Sequence, residues 1–198
     1  MNNKKPIWQD VGVWMLLLLN AYSVYYYLHN PNSIRTVIFI FWMQSVFIGI
    51  FNVIGMLTFT NRVSNSFTVN DSPGNKPGCA AAFFTIHYGI FHLVYFVFLV
   101  VSVVKEQAFD FQFLKISFWA IFAGCIMQYI QDKKHNRTEP INIGVMFFMP
   151  YVRIIPMHLI ILVPAFFHIS APILFLALKT FADVVMHVVY RRYVFKAP

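Results

Sequence analysis

Charge is scarce in this chain. Only 11% of its 198 residues are Asp, Glu, Lys or Arg, and acidic residues number just seven. A soluble domain carries about 25% charged residues. A chain this poor in charge and 59% hydrophobic cannot present a hydrated surface all round. That excludes an ordinary soluble fold and leaves an integral membrane protein with little mass outside the bilayer. Cysteine is nearly absent as well. Cys79 and Cys125 form no CxxC motif. Both fall near the cytoplasmic ends of their helices, which argues against a disulfide. The chain has no HExxH or ExxH string, no internal repeat and no sign of a second domain, so residues 1–198 read as a single transmembrane domain.

What the chain has in quantity is apolar sequence, including 23 Phe, with a mean hydropathy of +0.65. A spanning helix needs about 20 mostly apolar residues. Six segments qualify: 7–28, 36–60, 80–104, 109–130, 150–169 and 171–191. The predicted fold is therefore an all-α, polytopic transmembrane helix bundle of about six spans. Asn30-Pro31-Asn32, Ser72-Pro73-Gly74, Lys76-Pro77-Gly78 and Glu139-Pro140 punctuate the connections. The first apolar run is too long for a signal peptide and lacks a small-residue cleavage site, so it reads as a retained span.

The net charge of +8 invites a nucleic-acid reading, but the placement of the charges opposes it. With six spans, ten lysines and arginines fall on the side holding both termini. Arg35 and Lys105 fall on the other. By the positive-inside rule both termini are cytoplasmic, so the expected location is the cytoplasmic membrane. The expected partners are the lipid bilayer and a further membrane subunit or second copy, with no nucleic acid.

The functional signal lies in ionisable residues inside these segments, which are costly in hydrocarbon and tend to be paired or functional. They are His87 and His92, Arg153 and His158, and Lys179, Asp183 and His187. A rise of 1.5 Å per residue places His87 about 10 Å from the cytoplasmic face, and Asn52 and Asp183 about 12 Å from it. His158 joins that layer if its helix begins at Pro150, a residue that suits the first turn. In that register Arg153 sits near the headgroups, and 141–149 forms an interfacial or re-entrant piece. Lys179, Asp183 and His187 recur every four residues and share one helix face.

Three imidazoles and a carboxylate suit Zn, Fe, Mn or Cu with open coordination positions. The expected ligands are His87, His158 and His187, with Asp183 as fourth ligand or orienting partner. Asn52, Arg153, Lys179, His92, Tyr95 and Gln44 would support those ligands from behind or position a substrate. Chemistry on a lipid-soluble molecule would follow if the protein is an enzyme. Haem held by two of the histidines, a quinone site, a proton relay through Lys179 and Asp183, and a purely structural polar network remain alternatives.

Several strings carry a resemblance. They are Gly49-Ile50-Phe51-Asn52, Phe83 through Gly89 with its His87-Tyr88-Gly89, Arg153 with Pro156-Met157-His158, and Lys179-Thr180-Phe181-Ala182-Asp183 with His187. Over roughly residues 36–190 the chain resembles a domain-of-unknown-function family of bacterial multi-pass membrane proteins. The resemblance implies a six-helix membrane domain and assigns no activity. Where it implies an acidic Trp-x-Glu-Asn string, this chain has Trp42-Met43-Gln44-Ser45. Gly55 stands where a lysine is implied, and Tyr95 where a second histidine is. These departures imply an altered site.

Overall fold

The computed structural model describes residues 11–30, 34–63, 77–104, 110–152, 154–155 and 172–193. They form helices α1 (Val11–His29), α2 (Ile34–Thr58), α3 (Pro77–Val104), α4 (Phe111–His135), α5 (Ile143–Val152) and α6 (Pro172–Tyr193). Two short strands, β1 (Arg62–Val63) and β2 (Ile141–Asn142), pair in parallel. The fold is all-α, as the composition requires. Pro77 and Pro172 open their helices at the first position, where the missing N–H costs nothing. Among the described residues three helices are long and apolar enough to cross a membrane: Thr36–Thr58, Gly78–Val101 and Phe111–His135.

Helix α2 is the hub. It packs against α3 on one side and α4 on the other, while α1 lies along α6. One apolar cluster joins α2, α3 and α5 through Met56, Phe84, Tyr88, Met146 and Phe147. Another joins α2, α4 and α6 through Val37, Phe41, Phe113, Ile121 and Leu176. The outer face of α3 leaves Ile86, Ile90, Leu93 and Val97 exposed. A helix apolar on both faces suits protein on one side and lipid on the other.

Close approach of α2 and α3 depends on Gly49. A methyl there would overlap the Tyr88 ring at Cε1. The Tyr88 hydroxyl meets Ser45 Oγ at 2.8 Å and donates to the Ser45 carbonyl at 3.0 Å.

Both ends of the bundle are closed by polar residues. At one end Asp110 caps α4: its Oδ1 accepts from Phe113 N at 2.9 Å and its Oδ2 from the Tyr26 hydroxyl at 2.7 Å. Asp110 N donates to Thr36 Oγ1 at 3.3 Å, so α1, α2 and α4 meet at this residue. The Phe113 amide, then the Tyr26 hydroxyl, hold its carboxyl below the usual carboxylate range. At the other end Asn136 is 3% exposed. Its Oδ1 accepts from Thr60 N and Asn61 N, and its Nδ2 donates to the Asn61 carbonyl. That clip aligns β1 with β2 and so sets where α5 begins.

The start of α5 corrects the sequence expectation. The helix begins at Ile143, not Pro150, and 143–149 is helical. Asn142 explains the start, because its Oδ1 accepts from Val145 N at 3.2 Å as an N-cap does. Helix α4 also runs five residues past its expected end at 130, to His135.

Two outcomes check this packing in detergent melts. Gly49→Ala should push the Tyr88 ring aside and cost about 1–3 kcal/mol, as overpacking does. Asp110→Ala should cost about 1 kcal/mol at neutral pH, the worth of an N-cap. Because the folded carboxyl is depressed, that cost is full above the ordinary value of 3.8 and should shrink as pH falls below it.

Candidate functional site

A buried cation sits where α1, α2 and α6 meet. Lys179 Nζ lies 2.6 Å from Asp183 Oδ2, one helical turn along α6. It also donates to Asn20 Oδ1 at 2.9 Å and Gln44 Oε1 at 2.8 Å. The Phe41 ring covers it at 3.8 Å. An ammonium has three hydrogens, and three acceptors from three helices take them. This is the geometry of a structural cation rather than of an amine poised to attack a carbonyl. Asn20 Nδ2 donates to the Leu16 carbonyl at 2.9 Å and to Asp183 Oδ2 at 3.3 Å, so both ends of that amide are engaged.

Beside this cluster lies a cavity of about 170 Å³ whose wall includes residues of α1, α2, α4, α5 and α6. Its body is apolar, with Leu16, Ile48, Phe51 and Ile121, and four of the chain's nine methionines line it: Met127, Met146, Met149 and Met186. The polar part of the wall includes Gln44, Asn52, Gln128, Gln131, Asp132 and His187. Gln128 Nε2 donates to both oxygens of Asp132, at 3.0 and 3.1 Å.

Asn52 owes its position to a proline. Pro150 lies inside α5 and has no N–H, so the carbonyl four residues back, on Met146, loses its helical donor. Asn52 Nδ2 supplies one at 3.0 Å. The bond also fixes which way the amide points. Its NH₂ must face the Met146 carbonyl, which leaves Oδ1 as the remaining acceptor. Gln44 is fixed the opposite way. Its Oε1 accepts from an ammonium, so its NH₂ is the group left to face the cavity.

The expected residues separate into groups. Lys179, Asp183 and Gln44 come together, and His187, 6% exposed, lies one turn further along α6 on the cavity wall. His87 does not join them. Helix α3 turns Phe84, Tyr88, His92 and Tyr95 inward, and His87, one residue before Tyr88, falls about 100° off that face. Its side chain is exposed, stacked on Phe83, with Nδ1 2.9 Å from the Tyr151 hydroxyl. His92 is buried, and its Nδ1 faces the Tyr88 carbonyl at 2.9 Å. A carbonyl only accepts, so Nδ1 carries the hydrogen, and the buried Nε2 has no partner among the described residues. Arg153 and His158 lie outside the described residues. Among the described residues no group of three or more His, Cys, Asp or Glu side chains is placed to hold a metal ion.

The sequence reading missed Asn20 and Asp132. Asn20 had a signal, a lone amide inside the Leu-rich run 16–19. Asp132 was placed outside the span because α4 was ended too early.

The Asn52–Pro150 relationship predicts a coupling. Asn52→Leu should cost about 1–3 kcal/mol by stranding the Met146 carbonyl. In a Pro150→Ala background residue 150 regains its N–H, so the same substitution should cost less. A double-mutant cycle of detergent melting temperatures checks this, and additive costs would refute it.

No curated protein and no solved structure matches the chain. One family model does, across residues 4–198, nearly the whole chain. The chain belongs to that family, the family of unknown function DUF6498.

Proposed function

We propose that this is a six-span protein of the bacterial inner membrane, with both termini cytoplasmic, that binds a small lipid-soluble molecule in the cavity beside Lys179. The observation that carries the reading is the cavity wall. It is apolar over most of its surface and has a few oriented polar groups, which is the composition of a small-molecule site. Methionine suits such a wall because its side chain is flexible and polarisable and adapts to irregular shapes. The three long apolar helices support the membrane setting, and the concentration of basic residues on one side supports the orientation.

The cavity displaces a metal centre as the favoured site because His87, one of the expected ligands, faces outward from α3. The Lys179 cluster then serves the cavity indirectly. It locks α1 and α6 to α2 and holds the Gln44 amide in one orientation on the cavity wall.

Protein purified in mild detergent should carry a co-purifying small molecule, detectable by organic extraction and mass spectrometry. Ile48→Trp, which fills the cavity from α2, should lose it while keeping a cooperative melt. Equal extracts from the two proteins, or none from either, would refute the reading.

A further inference from the structure

We infer that the cavity takes a single aromatic ring carrying oxygen at opposite ends, one a hydrogen-bond donor and one an acceptor, the chemistry of a quinol-type headgroup. The inference rests on the cavity reading above and narrows it to a ligand class.

Size comes first. An apolar protein cavity of about 150 Å³ accommodates benzene, so 170 Å³ holds one ring with small substituents. The wall then favours a π system. Four methionines and Phe51 line it, and thioether sulfur makes favourable contacts with ring edges.

The two amides set the substitution pattern. Gln44 presents its NH₂ because its oxygen is held by Lys179, and Asn52 presents its oxygen because its NH₂ is held by Met146. Both line the cavity. They are eight residues apart on α2, which separates them by about 12 Å along the helix. A six-membered ring with oxygens at opposite ends and a hydrogen bond of about 2.8 Å at each reaches about 11 Å. Ile48 lies midway between them, against the ring's expected position. A neutral ring oxygen accepts from Gln44, and a ring hydroxyl donates to Asn52. No proton or electron transfer is required for this binding.

The test uses 4-methoxyphenol, which has one donor and one acceptor at opposite ends, and 4-ethyltoluene, which has the same shape without oxygen. Each is titrated against the full chain in detergent, and affinity is read from the rise in melting temperature. For the wild type, 4-methoxyphenol should bind at least about tenfold more tightly, the worth of one net hydrogen bond. Gln44→Glu keeps the acceptor for Lys179 and removes the N–H donor, so it should lower that preference by the worth of one hydrogen bond, roughly fivefold to tenfold, while leaving 4-ethyltoluene unchanged. Ile48→Trp should abolish binding of both. Equal affinity for the two probes in the wild type would overturn the ring-oxygen assignment while leaving the cavity as a site. Failure of both probes to stabilise the wild type would overturn the single-ring assignment. A co-purifying molecule that Ile48→Trp still loses would then show the cavity reading standing without it.

Discussion

A buried ammonium constrains this bundle more than any other group. Taking a charge out of water costs several kcal/mol even after relaxation, and Lys179 is 8% exposed. The charge is tolerable because an anion and two amide oxygens surround it, and those groups come from α1, α2 and α6. The three helices therefore cannot shift independently. A slide of α6 by one turn would separate Lys179 from Asn20 and Gln44 and leave a cation unsolvated. Apolar contacts tolerate such slippage far better, since one greasy face resembles another. The polar cluster thus sets the register in which the apolar surfaces meet.

Helix α2 passes that register to the rest of the molecule. Within three turns it offers Gln44 to the cation, Ser45 and the flat surface of Gly49 to Tyr88, and Asn52 to the carbonyl freed by Pro150. Each contact ties a different helix to the same rod. The cavity follows from the arrangement. Its wall is anchored on α2 and α4, and α5 is held at a distance set by one amide reaching a proline-broken turn. A small internal space with oriented polar groups is what remains when polar tethers, rather than close-packed side chains, fix the helix positions.

Much of this was legible beforehand. Among the described residues the helices fall within a few residues of the positions that apolar runs and Pro/Gly breakers indicated, apart from the start of α5 and the end of α4; the expected start of the first span at 7 and end of the fifth at 169 lie outside the described residues. The spacing of Lys179, Asp183 and His187 announced a shared face, and the ion pair formed on it. The start of α5 was misjudged because Pro150 was assigned to a first turn, although Asn142 was available as a cap eight residues earlier. His87 was assigned to the site by its depth. Depth follows from residue count, but direction depends on which neighbours pull a helix face inward, and Phe84 and Tyr88 do that on α3.

By itself the sequence determined the membrane class, the helical architecture and the presence of costly polar groups at depth. Those properties follow from local composition and from a repeat of 3.6 residues, which need no knowledge of partners. Only the tertiary structure decided which polar groups meet. Asn20 and Lys179 are 159 residues apart, and Asn52 and Met146 are 94 apart. No local pattern encodes those pairings. They arise because a buried donor must find an acceptor, and only the packed bundle brings one within reach.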